Sequence, residues 1–138
     1  MQYSWHNKTI LVAEDDPINF KYLHLLLEKR TGCTILWAKD GLEARDKILQ
    51  DCTIDLVLLD LQLPELTGME VLREVRKSNR HLPILMQTAN SWNNEEEDCI
   101  ECGADAFFSK PLKTDLLFAK MDECLKTYSR LKKMKQPV

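Results

Sequence analysis

Short apolar runs and helical patterns alternate along the chain. Four runs are rich in branched or aromatic residues, and they cover residues 9–13, 54–59, 83–86 and 104–108. Such runs are typical of strands that are buried on both faces, as in a parallel sheet. A weaker run at residues 33–38 follows Thr31 and Gly32 and predicts one more strand.

The segments between these runs carry apolar residues at helical spacing. The spaced residues are Ile18, Tyr22, Leu25 and Leu26 in the first segment, Leu117, Met121, Cys124 and Leu125 in the last, and the pairs Ala44/Ile48 and Val71/Val75 in two shorter segments at 42–50 and 69–77. Pro17 suits the first turn of a helix, and Gly32 and Gly103 suit helix ends. Residues 93–98 place four acids where a short, polar fourth helix would begin. The pattern predicts an α/β domain in which a β-α unit repeats five times, (βα)5, with right-handed crossovers.

The composition fits one globular domain. The chain has 138 residues, of which 44% are hydrophobic and 30% are charged. These values exclude a disordered or fibrous chain, and a chain of this length can bury a sizeable core. No apolar run is long enough to span a bilayer, and residues 1–5 lack the layout of a signal peptide. We therefore expect a cytoplasmic protein without membrane insertion.

The charge is distributed unevenly along the chain. The net charge is −3, and it falls to −7 for residues 1–129 because the last nine residues hold four basic side chains and no acid. An acidic body argues against a nucleic-acid partner, which would require a basic face. We interpret residues 1–7 as an N-terminal extension, 8–129 as the folded domain and 130–138 as a basic, solvated tail.

Five cysteines without a secretory signal predict reduced thiols. Cys99 and Cys102 form a C-x-x-C motif, but it lies in a predicted helix and no second such motif accompanies it. Buried or half-buried thiols are therefore favoured over a zinc or redox site.

Polar residues stand directly at the ends of the predicted strands. Asp15 and Asp16 follow the first strand, Asp60 ends the third, Thr88 ends the fourth and Lys110 follows the fifth. In a parallel sheet all C-terminal strand ends lie on one edge, and ligands bind there. These five residues are therefore expected to converge, although they are far apart in the sequence.

The expected cluster suits phosphoryl transfer. Three carboxylates close together repel one another, and Mg²⁺ (or Mn²⁺), which prefers oxygen ligands and often engages phosphate, would compensate them. Lys110 adds a fixed positive charge and Thr88 a hydroxyl, which fits a reaction whose charge spreads over three equatorial oxygens. Asp60 is the candidate nucleophile, because it ends a central strand and faces both the acids and the lysine.

These motifs together resemble the receiver domain of two-component response regulators. The matching elements are the acidic pair after the first strand, DLQLPELTG at 60–68, TA at 88–89 and FFSKP at 107–111. VAEDDPIN at 12–19 and WAKDG at 37–41 look most like receivers attached to hybrid histidine kinases. The resemblance implies a doubly wound, flavodoxin-like fold, with a parallel five-stranded sheet of order 2-1-3-4-5 and helices on both faces.

The resemblance also implies roles for the acidic residues. Asp60 would be the phospho-acceptor. Asp16 would bind Mg²⁺ directly and Asp15 through water, and Asp60 and the backbone carbonyl of Gln62 would complete the protein ligands. Gln62 and Asn90 occupy positions that tune the lifetime of the phosphoryl group in this family, and the sequence leaves that lifetime open. Trp92 either covers the site or lies on the surface, which the sequence also leaves open.

The remaining implied roles concern a conformational switch. Lys110 would contact the phosphoryl group, and the Lys110–Pro111 peptide bond is expected to be cis. Thr88 would move its hydroxyl to a phosphoryl oxygen, and Phe107 would swing inward behind it. A permanently buried Phe107 is the alternative.

The resulting functional hypothesis is a phosphorelay switch. The donor of the phosphoryl group to Asp60 would be a sensor or hybrid histidine kinase, or a histidine phosphotransfer protein. The chain would catalyse its own phosphorylation and dephosphorylation at Asp60, without being an enzyme in the usual sense. The change would reach the surface of the fourth helix, fifth strand and fifth helix, where a homodimer could form. The sequence leaves open whether the chain is a stand-alone regulator or part of a hybrid kinase.

Three alternatives remain. A degenerate receiver would act as a phosphorylation-independent binding module, but all five polar positions are retained. A phosphatase of the haloacid-dehalogenase type would require a D-x-D after its first strand, whereas Asp60 lies on the third. Binding of a flavin, as in flavodoxins, is disfavoured by the acidic site.

Overall fold

The computed structural model describes residues 2–89 and 94–135, within which five strands and five helices alternate. Asn90 and Trp92 lie outside these ranges. The elements are β1 (Thr9–Ala13), α1 (Pro17–Thr31), β2 (Thr34–Ala38), α2 (Gly41–Gln50), β3 (Leu56–Asp60), α3 (Gly68–Arg76), β4 (Ile84–Thr88), α4 (Glu95–Glu101), β5 (Ala106–Ser109) and α5 (Thr114–Lys135).

All five strands form one parallel sheet in the order β2-β1-β3-β4-β5, which confirms the predicted topology. Asp60 of β3 is in register with Gln87 of β4, and Thr88 is in register with Ser109 of β5. The C-terminal ends of these strands therefore lie side by side at one edge of the sheet.

Alternating strand residues feed two hydrophobic clusters, one on each face of the sheet. Leu56 and Leu58 of β3 belong to the cluster covered by α1 and α5, whereas Val57 and Leu59 belong to the cluster covered by α2, α3 and α4. Both faces are buried because helices cover both, which explains why the strands read as nearly continuous apolar runs.

Two strands end in polar residues, as expected. β3 ends at Asp60 and β4 ends at Thr88, each beyond its apolar run. Hydrogen bonding to neighbouring strands continues wherever a partner is present, and it does not depend on whether a side chain is apolar. The polar residues of the site are consequently held by the sheet itself.

The buried face of α1 differs from the predicted one. Ile18, Tyr22 and Leu25 are 79%, 60% and 58% exposed, and Leu23 and Leu27 are buried instead. Apolar residues occur around most of this helix, so their spacing fits more than one face, and only the docking onto the sheet decides which face is buried.

The last helix is longer than expected. α5 continues to Lys135, so the expected boundary between residues 129 and 130 falls within a helix. Lys132 donates a hydrogen bond to Asp55 at 3.0 Å, and it forms a salt bridge there. Part of the predicted solvated tail is therefore helical and touches the body of the domain.

The N-terminal extension is also packed against the domain. Trp5 is buried, its indole N–H donates to Asp122 of α5 at 3.1 Å, and its ring lies edge-on to Phe118 at 6.1 Å between centroids. Backbone N–H groups of Tyr3 and Trp5 donate to carbonyls at the end of α1. The extension thus joins α1 to α5. Across residues 2–89 and 94–135, no helix has both the length and the apolar character to cross a bilayer.

The buried face of α1 can be tested with one substitution at two positions. We expect Leu27→Ala to lower the free energy of unfolding by about 2–5 kcal/mol, because it leaves a cavity beneath the helix. Leu25→Ala removes the same atoms from an exposed position and should change it by less than about 0.5 kcal/mol. Urea unfolding would measure both, and a larger loss for Leu25→Ala would contradict this placement of α1.

Candidate functional site

Lys110 lies between two buried carboxylates at the C-terminal edge of the sheet. Its ammonium Nζ is 2.7 Å from Oδ2 of Asp60 and 2.9 Å from Oε1 of Glu14. Glu14 is 1% exposed and Asp60 is 5% exposed. The ends of β1, β3 and β5 thus meet in one hydrogen-bonded ion cluster.

The strands fix each member of this cluster. Glu14 follows β1 directly, and its backbone is held by two contacts to the β2 strand: its N–H donates to Ala38, and its carbonyl accepts from the indole of Trp37 at 2.7 Å. The backbone N–H of Lys110 donates to the carbonyl of Thr88 at 2.8 Å. The Lys110–Pro111 bond is cis, as expected.

Both oxygens of Asp60 are engaged. While Oδ2 accepts from Lys110, Oδ1 accepts from the backbone N–H of Gln62 at 3.0 Å. The start of α3 packs closely against the end of β3. The N–H of Gly68 donates to the carbonyl of Leu61 at 2.8 Å, and a Cβ at Gly68 would overlap the carbonyl of Asp60. This position therefore needs glycine to let α3 begin beside the site.

Glu14 is the site residue that the sequence interpretation missed. Its place could have been found from strand alternation, which puts it on the same face as Val12 and Ile10, two and four residues earlier. Asp16, expected at the metal, serves instead as the N-cap of α1, where its Oδ1 accepts from the backbone N–H of Ile18 at 2.9 Å. The following Pro17 at the first helical position was the signal for this capping role.

Three acids form the possible ligand set for a cation. Glu14, Asp15 and Asp60 each offer a carboxylate oxygen, and these oxygens lie within 4.8 Å of one another. Carboxylate oxygens are the donors that Mg²⁺ prefers, and Lys110 compensates only one of the three charges. Asp15 is exposed and lines a cleft of about 570 Å³ beside Gln62, so the set is open to solvent on that side. The donor chemistry therefore fits a divalent cation.

Burial and charge shift the pKa of two groups in the cluster. Burial raises the pKa of Glu14 above its ordinary value of 4.5, the hydrogen bond from Lys110 lowers it in part, and the nearby charge of Asp60 raises it further. Burial alone would lower the pKa of Lys110, but hydrogen bonds to Asp60 and Glu14 and their charges raise it overall. Lys110 is therefore a fixed cation at neutral pH.

The two expected switch residues lie near the same sheet edge. Thr88 is fully buried at the end of β4. Phe107 is half-buried, is in register with Met86, and packs against the cluster beneath α2, α3 and α4. Strand alternation places Thr88 on the same face as Met86. The two side chains thus share a sheet face, opposite to the face of Lys110.

Comparison with known proteins agrees with this geometry. A family model described as the response regulator receiver domain matches residues 10–122. The hybrid signal transduction protein dokA of Dictyostelium discoideum is 36% identical over 130 residues, which cover 92% of this chain and 8% of that protein. The polar-differentiation response regulator DivK of Brucella anthropi is 34% identical over 107 residues, covering 76% of this chain and 85% of DivK. The expected similarity to receivers of hybrid signalling proteins is thereby confirmed.

A solved structure shows the same arrangement of elements. It is the receiver domain of a sensor histidine kinase from Pseudomonas aeruginosa, described with a magnesium ion coordinated in the active site cleft. It is 28% identical, has a TM-score of 0.78, and covers 87% of this chain and 98% of its own. Since the family model spans most of the sequence and the fold and acidic cluster agree with it, the chain belongs to the response regulator receiver domain family of two-component signalling.

Proposed function

We propose that this receiver domain accepts a phosphoryl group on Asp60. The observation that supports the proposal is the buried carboxylate of Asp60, which Lys110 contacts at 2.7 Å within a cluster of three acids. The fixed ammonium of Lys110 offsets the cost of burying the negative charge of this carboxylate, and a carboxylate in such a site can act as a nucleophile.

The proposed step transfers the phosphoryl group from a phosphohistidine of a partner. An oxygen of Asp60 attacks phosphorus, the phosphorus–nitrogen bond breaks, and the leaving imidazole keeps the bonding electron pair. The imidazole nitrogen can then take up a proton. Lys110 stays beside the acceptor and opposes the negative charge of the phosphoryl oxygens.

We further propose that Glu14, Asp15 and Asp60, with the backbone carbonyl of Gln62, hold Mg²⁺. This set replaces Asp16, the expected direct ligand, because the carboxylate of Asp16 caps α1. When bound, the ion would supply positive charge to phosphoryl oxygens. Asp15, the exposed member, would be the ligand most accessible from the open cleft.

The conformational response is proposed to run through Thr88 and Phe107. The support is their common sheet face and the hydrogen bond that ties the carbonyl of Thr88 to Lys110. A change at Asp60 would thus reach β5 and the surface formed with α4 and α5. Pairing of two copies through that surface stays a prediction.

The partner is proposed to be a histidine kinase or a histidine phosphotransfer protein, and a cytoplasmic location likewise stays a prediction. A non-phosphorylated binding module is the second candidate, and it is disfavoured because Asp60, Lys110 and the acids are held together. A haloacid-dehalogenase type of phosphatase is disfavoured by the location of Asp60 at the end of β3 rather than β1.

Phosphorylation of Asp60 can be tested with a small phosphodonor. Incubation with acetyl phosphate and Mg²⁺ should add one phosphoryl group to the wild type, and Asp60→Asn should abolish this gain because the nucleophilic oxygen is replaced. Intact-mass measurement would record the gain, and hydroxylamine should remove it. Asp46→Asn, on the exposed surface of α2, is the matched control and should be labelled like the wild type. Labelling that persists in Asp60→Asn, or a wild type that takes up nothing, would contradict the proposal.

The ligand set predicts different outcomes for two adjacent aspartates. At a Mg²⁺ concentration ten times the dissociation constant, binding should stabilise the wild type by about 1.4 kcal/mol. Asp16→Asn should keep this increment, because Asn is also a good N-cap and the ligands remain. Asp15→Asn should lose most of it. Thermal unfolding with and without Mg²⁺ measures the difference, and the reverse result would place Asp16 at the metal.

The raised pKa of Glu14 predicts how stability depends on pH. Because the pKa of Glu14 is higher in the folded than in the unfolded protein, its protonation stabilises the fold. This contribution to the free energy of unfolding is fully present below the ordinary pKa of 4.5, and it is lost as the pH rises through the higher pKa of the folded protein. Glu14→Gln mimics the protonated form and should be more stable than the wild type by roughly 1 kcal/mol at pH 7 without Mg²⁺.

This advantage should shrink toward acidic pH in urea unfolding experiments, because the wild type then becomes protonated too. Glu101→Gln, on the exposed face of α4, should follow the wild type at every pH. A Glu14→Gln variant less stable than the wild type at neutral pH would show that the contact with Lys110 outweighs the cost of burial.

A further inference from the structure

A second concave site lies behind the ion cluster, between α1 and the connection from β5 to α5. It is a cavity of about 540 Å³. Its apolar and aromatic walls are Leu23 and Tyr22 on α1 and Pro111 and Leu112 on the connection. Tyr22 is 60% exposed, so the cavity opens to solvent beside α1.

Gln87 is one of the residues that line this cavity, and its side-chain amide is unpaired. The residue is 0% exposed, yet neither Nε2 nor Oε1 has a hydrogen-bond partner in the part of the chain that the structure describes. It lies in β4 on the same sheet face as Leu85, which belongs to the cluster beneath α1 and α5. A Gln therefore stands where the rest of this strand face is apolar.

The other polar residues that are buried as whole residues behave differently, although Oε2 of the partly exposed Glu95 also has no partner among the described residues. Glu14 and Asp60 bind Lys110, and the hydroxyl of Thr31 donates to a carbonyl of α1 at 2.6 Å. Thr88 also has an interaction partner. Because buried polar groups in folded proteins are nearly always paired, the unpaired amide of Gln87 points to a group that enters from the cavity.

We propose that this cavity binds a small, flat, uncharged molecule that carries adjacent N–H and C=O groups, as in a lactam ring. The amide of Gln87 offers one acceptor and two donors side by side, and a lactam edge complements them in a paired, cyclic arrangement. The walls favour an apolar ring, and the volume lies within the range of small-molecule sites. Glu14 and Lys110, which also line the cavity, are already paired with oppositely charged partners, so neither group is free to bind a charged ligand.

The cavity and the ion cluster share Glu14 and Lys110. A molecule bound against Gln87 would lie next to the two residues that surround Asp60, and its presence would change how readily Asp60 is phosphorylated. This consequence, unlike the binding itself, rests on the proposed function.

The test uses 2-quinolone, a lactam with both groups, and N-methyl-2-quinolone, which has the same ring and lacks the N–H donor. Each probe is titrated into ¹⁵N-labelled wild type without Mg²⁺ or phosphodonor, and the side-chain amide signals of Gln87 are followed by NMR. We expect 2-quinolone to shift these signals and to bind at least about tenfold more tightly than the methylated probe, as loss of a buried hydrogen bond implies.

A matched pair of variants tests whether the probe binds at Gln87. Gln87→Met keeps the length of the side chain and removes its polar atoms, so it should lower the affinity for 2-quinolone at least about tenfold. Gln50→Met, on the exposed end of α2, should bind like the wild type. Backbone NMR spectra establish that each variant is folded, and the comparison of the two probes on the wild type needs no variant.

Three results would overturn the proposal: equal affinity of the two probes, equal affinity of the wild type and Gln87→Met, or a crystal structure soaked with 2-quinolone in which only ordered water contacts Gln87. Because no phosphodonor is present, failure of Asp60 to accept phosphate would not affect this outcome. A protein that is phosphorylated normally but binds neither probe would reject the cavity site alone.

Discussion

The contact of one lysine with two buried carboxylates is the interaction on which this domain's chemistry depends. Lys110 binds Glu14 and Asp60 at distances below 3 Å, and both acids are almost fully buried. With Asp15 nearby, the cluster keeps more negative than positive charge. A site of this kind favours the binding of a cation, and it holds Asp60 between the fixed hydrogen-bond donors Lys110 and Gln62.

The cluster forms because the C-terminal ends of the parallel strands lie at the same edge of the sheet. The three residues of the cluster lie at the ends of β1, β3 and β5: they are Glu14, Asp60 and Lys110. Hydrogen bonds between neighbouring strands fix their positions. The helices seal both sheet faces, so the polar groups are concentrated at the strand ends. Gly68 lets α3 begin against Asp60, which encloses the acid without covering the cleft beside Asp15.

The cluster separates two concavities of different chemistry. The cleft beside Asp15 and Gln62 is open and acidic, and it suits a cation and a phosphoryl donor. The cavity behind Lys110 is mostly apolar, and Gln87, with its unpaired amide, is among the residues that line it. Lys110 and Glu14 line the apolar cavity and belong to the same ion cluster as Asp60, so a molecule in that cavity would lie next to the acceptor.

The sequence by itself determined the class of fold and the order of its elements. It also showed that strand-end residues such as Asp60 and Lys110 belong to one cluster. Apolar runs, helical spacing and the rule that parallel strands end at one edge are local signals, and a single chain displays them. The buried face of α1, the contact of Glu14 with Lys110 and the unpaired amide of Gln87 were decided only by tertiary structure. Each depends on which side chain meets which neighbour, and residues distant in the chain supply those neighbours.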